Sequence, residues 1–176
     1  SVWHQAAKRM PELFERALRC EGITFSPATD LALHASWGSA SAPPSTQVVG
    51  PREPEESWQA EVGAKLALAG GKASVGVAVY HLERDNIAIP DSTGLSRQAG
   101  DQRSRGVELD VSVKPSPSWV TTASYAYTDA ELTSFSELVP LQPPDFAVID
   151  RSGNRAPFAP RHLFSLWTSK RFDGGL

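Results

Sequence analysis

Residues 57–84 read SWQAEVGAKLALAGGKASVGVAVYHLER, two long runs of alternating apolar and polar side chains joined by Gly70 and Gly71. One face of the first run carries only apolar residues: Trp58, Ala60, Val62, Ala64, Leu66 and Leu68. An alternation with a period of two is the pattern of a β-strand with one buried face. A glycine pair between two such runs suits a tight hairpin turn, because glycine adopts positive φ without strain. The stretch therefore predicts an antiparallel hairpin with one apolar face.

The same pattern continues along the chain. It predicts about seven strands, at 18–25, 29–38, 57–69, 73–84, 103–114, 118–129 and 161–172. Tight turns at 26–29, 69–72, 115–118 and 173–175 alternate with long polar connections at 39–56, 85–102 and 130–160. Short turns at one end of a sheet and long loops at the other are typical of outer-membrane barrels. The predicted fold class is all-β, an antiparallel up-and-down transmembrane β-barrel segment, preceded at 1–17 by a short helical or irregular stretch.

Aromatic residues lie near the ends of the apolar stripes. Trp119 and Tyr127 lie eight positions apart in one predicted strand. At ~3.3 Å per residue and a tilt of ~40°, that separation is on the order of the ~25 Å apolar band of a barrel. Trp58, Trp119 and Tyr127 are therefore predicted to be membrane-interface aromatics.

Composition excludes several classes of protein. The net charge is -3, with acidic and basic residues mixed, which argues against a nucleic-acid partner. No run approaches the ~18 to 20 apolar residues of a membrane-spanning helix. Cys20 is the single cysteine and the four histidines are widely separated, so we expect no metal site. The sequence contains no catalytic constellation, and we expect no enzymatic activity.

Alternation alone leaves other folds open. Any half-buried antiparallel sheet shows it, including a soluble secreted β-sandwich that binds carbohydrate or protein through its long loops. A smaller, complete outer-membrane barrel is a third possibility. The length of the strands and the alternation of short and long connections favour an outer-membrane barrel over the soluble sandwich.

Four segments in succession resemble the barrel region of TonB-dependent siderophore receptors. They are SWQAEVGAKLAL (57–68), VAVYHLERDN (77–86), GDQRSRGVELDVSVKPSPSWVTTASYAYTDAEL (100–132) and FAPRHLFSLWTSKRF (158–172). The stretch GITFSPATDLALHASWGSASAPP (22–44) is similar to the preceding hairpin and loop. Residues 18–176 are thereby assigned to a partial receptor barrel domain.

The resemblance implies a barrel of about 22 strands in the outer membrane of a Gram-negative bacterium, with a plug domain inside. It implies import of ferric siderophores with energy delivered through TonB, and a chain that is a fragment unable to transport alone. Iron would enter as a siderophore chelate, so no cofactor is expected. The substrate-binding candidates are aromatic and cationic residues of the extracellular halves of the strands: Trp37, Tyr80, Arg84, Arg103 and Arg105. Glu108 and Asp110 are expected to face inward and pair with basic groups of the plug.

Overall fold

The computed structural model describes residues 18–43, 53–90, 96–141 and 145–172, which form eight antiparallel strands. The strands are β1 (Leu18–Ala28), β2 (Leu31–Ala42), β3 (Glu55–Leu68), β4 (Ala73–Pro90), β5 (Ser96–Ser116), β6 (Trp119–Pro140), β7 (Phe146–Asp150) and β8 (His162–Lys170). The all-β fold class is confirmed. The prediction of a helical or irregular stretch at 1–17 lies outside the described residues.

The strands form one sheet in chain order from β1 to β7, and β8 pairs with β6. Strand β6 is long enough to pair with two partners on the same side. Its first half pairs with β8, from Trp119↔Lys170 to Tyr127↔His162, and its last residues pair with β7. Between them, the backbone N–H of Leu132 donates to the carbonyl of Asn154 at 2.8 Å. The sheet is thus an up-and-down segment that does not close into a barrel.

The two ends of the sheet differ in how the strands connect. At one end, which we call the tight-turn end, the turns are short: 29–30, 69–72 and 117–118. Gly70 and Gly71 have φ of 66° and 85°, which explains the glycine pair of the first hairpin. The opposite end, the long-loop end, carries the connections after β2, β4 and β6.

Three strands extend further at the long-loop end than the sequence pattern predicts. Strand β4 runs to Pro90 and β5 begins at Ser96, so the prediction of a long polar connection at 85–102 is wrong. The connection predicted at 130–160 is also partly wrong, because it contains the end of β6 and all of β7. These extensions have no regular alternation, because a strand that leaves the apolar band no longer has lipid along one whole face.

A small apolar core lies in these extensions. Among the described residues the buried apolar side chains are Ile87, Ala130, Leu132, Phe135 and Ala156. Register shifts in β4 after Arg84 and in β6 between Leu132 and Ser134 bring them together, because one extra residue in a strand reverses the face on which the following side chains lie. Ordered structure therefore continues past the alternating part of the sheet.

The rest of the sheet is a single layer within the described ranges. Contacts between strands occur only between neighbours in the sheet, so no second sheet packs on either face. This arrangement contradicts the alternative of a soluble β-sandwich, which needs two packed sheets. No helix in the described part of the chain is long and apolar enough to cross a membrane.

Candidate functional site

One face of the sheet, which we call the apolar face, is continuous across seven strands. Cross-strand register places apolar side chains beside one another from strand to strand. One such row contains Phe25, Leu33, Ala64, Val77, Leu109, Tyr125 and Phe164. The next contains Ile23, Ala35, Val62, Val79, Val107 and Tyr127.

The apolar face is uncovered. Val62 is 58% exposed and Val79 is 50% exposed, although both lie in the interior of the sheet. A contiguous apolar surface over seven strands far exceeds what a water-soluble monomer exposes. This face is therefore built to contact an apolar environment.

Aromatic side chains make polar contacts at both ends of the apolar face. Near the long-loop end, the Trp58 indole stacks on His81 with centroids 5.1 Å apart and donates a hydrogen bond to Glu83 at 3.0 Å. At the tight-turn end, the Trp119 indole donates to Thr168 Oγ1 at 2.9 Å. An apolar ring with one hydrogen-bonding edge suits a membrane–water interface.

The third predicted interface aromatic, Tyr127, also lies on the apolar face. Its ring centroid is 5.3 Å from that of His162. Directly beyond it toward the long-loop end, ion pairs replace apolar side chains on the same face. Arg105 lies 3.6 Å from Asp129, and Arg103 lies 3.0 Å from Glu131. The apolar band therefore ends at Tyr127 in β6.

Three of the five substrate-binding candidates lie on the apolar face. Trp37 is opposite Ala60 in the register, and Arg103 and Arg105 continue the side of β5 that carries Val107. The sequence of β5 alone predicts the face of the two arginines, because positions 103, 105 and 107 share one side of an extended strand. The other two candidates, Tyr80 and Arg84, lie on the opposite face.

The opposite face, which we call the polar face, carries small side chains and scattered charges. His34 Nε2 lies 3.2 Å from Glu61 Oε1, and Ser124 donates to Asp110 at 2.6 Å. One cross-strand row reads Lys65, Gly76, Asp110, Ser124 and Ser165. A sheet with one apolar and one polar face matches the wall of a transmembrane barrel, whose lumen is polar.

Tyr80 lies flat across the neighbouring strand on the polar face. Its hydroxyl is 2.9 Å from Thr128 Oγ1, two strands away. The ring passes over Gly106, where an added Cβ would lie 2.5 Å from the Tyr80 hydroxyl oxygen. Gly106 is required here for close approach, and the sequence pattern did not identify Thr128 as the partner of Tyr80.

Arg84 is held by Glu55 from the next strand. Its Nε donates to Glu55 Oε1 at 3.0 Å, and Nη2 contacts the same oxygen. The two side chains are 40% and 29% exposed, so both remain partly accessible from the polar face. Two neighbours on this face, Gln59 and Leu82, were not among the sequence candidates. Within the described ranges, no three His, Cys, Asp or Glu side chains gather as a metal site.

Comparison with known proteins identifies the class of protein. Residues 22–175 match the family model "TonB dependent receptor-like, beta-barrel", so the chain belongs to this family. The probable TonB-dependent receptor BfrD of Bordetella pertussis is 30% identical over 176 residues, covering 90% of this chain and 22% of the relative. The ferrichrome outer membrane transporter/phage receptor of Escherichia coli is 32% identical over 124 residues, covering 69% of this chain and 15% of the relative.

Solved structures give the same fold. The siderophore receptor PiuA of Acinetobacter baumannii superposes with a TM-score of 0.66 at 22% identity, covering 86% of this chain and 23% of that one. The ferripyoverdine receptor of Pseudomonas aeruginosa superposes with a TM-score of 0.66 at 19% identity, covering 90% and 21%. The chain spans about a fifth of the length of these receptors. The protein is thus an outer-membrane protein of a Gram-negative bacterium, and its described strands are part of the barrel wall.

Proposed function

We propose that this chain is part of a receptor that imports a ferric siderophore across the outer membrane, with energy delivered through TonB. The observation that carries the proposal is the two-faced wall: an apolar face continuous over seven strands and a polar face with room beside it. The family membership and the ferrichrome, ferrioxamine B and pyoverdine receptors among the relatives support it.

Tyr80 and Arg84 are the proposed contacts to the chelate among the original candidates. Both lie on the polar face toward the long-loop end, which in this family is extracellular. Arg84 directs donors that bind chelate oxygens, and Tyr80 offers a hydroxyl and a ring edge. Trp37, Arg103 and Arg105 share the apolar face, so the proposal does not include them.

The polar face also suits a plug domain inside the complete barrel. Glu108 is exposed and lies between two alanines, Ala78 and Ala126, in the register. Asp110 is two residues further along the same face. We propose that these carboxylates pair with basic groups of the plug, because a charge facing a filled lumen needs a partner.

Iron uptake by the full-length protein tests this function. The protein is expressed in a Gram-negative host lacking its own siderophore receptors, and radioactive iron is supplied as neutral and anionic ferric siderophores. We expect uptake of at least one chelate that disappears when TonB is deleted. Uptake equal to the empty vector for every chelate would contradict the proposal.

Variants of the same protein test the two contacts. We expect Tyr80→Ala and Arg84→Gln to weaken chelate binding about 5- to 50-fold, the loss of one or two hydrogen bonds or ring contacts. Arg103→Gln is the matched control, because it removes a guanidinium from the apolar face. Equal losses in Arg84→Gln and Arg103→Gln would rule out a specific role for the polar face.

The proposed role involves no chemical conversion. Iron arrives already chelated, so the wall needs groups that contact the chelate and no direct metal ligands. The family is one of receptors. That the chain has no enzymatic activity and no resident cofactor remains a prediction.

A further inference from the structure

A shallow concavity opens on the polar face between β1, β2, β3 and β4. It has a volume of about 280 Å³ and lies toward the long-loop end. Its lining includes Leu18, Ser36, Gly38, Ser57, Gln59 and Leu82. All six side-chain positions belong to the polar face by the strand register.

The register explains the shape of the concavity. Gly38 is the cross-strand partner of Gln59, and Gln59 is the partner of Leu82. The floor is low at Gly38, where an added Cβ would lie 3.2 Å from the carbonyl oxygen of Arg19. The side chains of Gln59 and Leu82 lie beside Gly38 and form one side of the concavity.

The concavity lies between the two proposed chelate contacts. Tyr80 and Arg84 flank Leu82 on the same side of β4, two residues away in either direction. Glu55 engages the guanidinium of Arg84, so this pair beside Leu82 and Ser57 is neutral overall. A ligand that touches Tyr80 and Arg84 together passes over Leu82, which lines the concavity.

The chemistry of the lining indicates what fits. The Gln59 amide both donates and accepts hydrogen bonds, and the Ser36 and Ser57 hydroxyls do the same. Leu18 and Leu82 offer apolar surface to methylene groups. Uncharged polar groups beside apolar surface complement an uncharged, amide-like ligand.

We propose that this concavity is a subsite for an uncharged hydroxamate- or amide-bearing arm of a ferric chelate. The inference rests on the proposed function and narrows its substrate to chelates of low net charge. Gln59 is the specificity-determining residue, because its amide pairs with a hydroxamate or amide group and the leucines pack on the spacer beside it.

Equilibrium binding to the full-length receptor tests the subsite. The probes are a neutral ferric trihydroxamate and a trianionic ferric tricatecholate, measured by quenching of tryptophan fluorescence. Gln59→Leu removes the amide at similar size, and Ala40→Leu fills the same face from the adjacent row. Ala35→Leu, on the apolar face of the same strand as Ala40 and outside the lining of the concavity, is the matched control. Heat-modifiable migration on gels verifies that each variant is folded.

We expect Gln59→Leu and Ala40→Leu each to weaken trihydroxamate binding about 5- to 20-fold, and Ala35→Leu to change it less than about twofold. Binding within twofold of wild type in both test variants would overturn the subsite while leaving the proposed function intact. Wild-type binding of the tricatecholate alone would also overturn it. Binding of neither probe would overturn the subsite, and the absence of any chelate uptake would overturn the proposed function as well.

Discussion

Two adjacent residues of β5, Val111 and Ser112, give the sharpest test of the two-faced wall. Val111 lies on the apolar face between Val75 and Ala123 in the register. Ser112 lies on the polar face beside a concavity of about 460 Å³. Replacing each in turn by arginine places the same charge at the same depth, toward lipid in one variant and toward the lumen in the other.

The expected difference follows from the surroundings of the two side chains. An arginine facing lipid near the middle of a bilayer costs about 2 to 4 kcal/mol. An arginine at position 112 enters a polar space that also holds Asp110 and Lys65, and we expect a cost within about 1 kcal/mol. The two variants should therefore differ by about 1 to 4 kcal/mol, which changes the folding equilibrium about 5- to 700-fold.

Urea unfolding of the full-length protein in lipid vesicles measures this difference. At equal m-values, the shift of the midpoint reports the lost stability directly. The pairing environment is the same for both substitutions, because they are in one strand with the same two neighbouring strands. We expect a large shift for Val111→Arg and a small one for Ser112→Arg. Equal shifts, or the larger shift for Ser112→Arg, would refute the assignment of the faces.

Two further predictions concern single contacts. Gly106→Ala should lower stability by about 1 to 3 kcal/mol in thermal unfolding, because its Cβ would collide with the backbone carbonyl oxygen of Tyr127 and with the Tyr80 hydroxyl; combining it with Tyr80→Ala should cost less than the sum of the two single losses, and strictly additive losses would contradict the Tyr80 contact. At the end of β7, hydrogen bonds from Ser152 hold the pKa of Asp150 below its ordinary value. The ionised form is therefore favoured on folding, so its contribution exists at neutral pH and is lost as pH falls through the lowered pKa. Asp150→Asn, which leaves the hydrogen bond from the Phe135 N–H to the Ser152 hydroxyl in place, should speed hydrogen exchange in the β6–β7 pair at neutral pH and not at a pH where Asp150 of the wild type is protonated; equal acceleration at both would contradict it.

The sequence predicts the strands correctly where one face of the strand is apolar along its length. In β3 and β5 every second residue is apolar from Trp58 to Leu68 and from Val107 to Val113, and both runs are strands with that face uncovered. The turns at 69–72 and 117–118 followed from glycine and proline chemistry; the first turn lies at 29–30, because β1 continues through most of the predicted turn 26–29, and the turn predicted at 173–175 lies outside the described residues. Where β4, β5 and β6 pass beyond the apolar band, neither face of the strand has to be apolar. The residues there still pair as strands, but their sequence no longer alternates.

The same limit explains the missed strand β7. Its five residues, FAVID, form a strand because they pair with the end of β6. A short run of this kind has no period long enough to separate it from a loop. Its pairing with the end of β6, and not an apolar pattern of its own, makes it a strand.

The candidate site was partly accessible to sequence reasoning. Tyr80 and Arg84 follow from residue type and position. Arg103 and Arg105 are at odd-numbered positions of β5, as Val107 is, and this alone places them on the apolar face. The contact of Tyr80 with Thr128, and the concavity beside Gln59, depend on register across several strands. Register between strands is set by the assembled sheet and its turns, so one strand's sequence does not reveal it.

The central claim, that alternate residues of one strand face lipid and lumen, is tested most directly by a cysteine scan of residues 107–113. The native thiol, exposed at position 20, is first removed by Cys20→Ser, and a fluorophore is attached at each position in turn in the full-length protein. Vesicles carry lipids with a nitroxide on the acyl chain. We predict strong quenching at 107, 109, 111 and 113 and weak quenching at 108, 110 and 112. Uniform quenching, or quenching of the second set, would contradict the account.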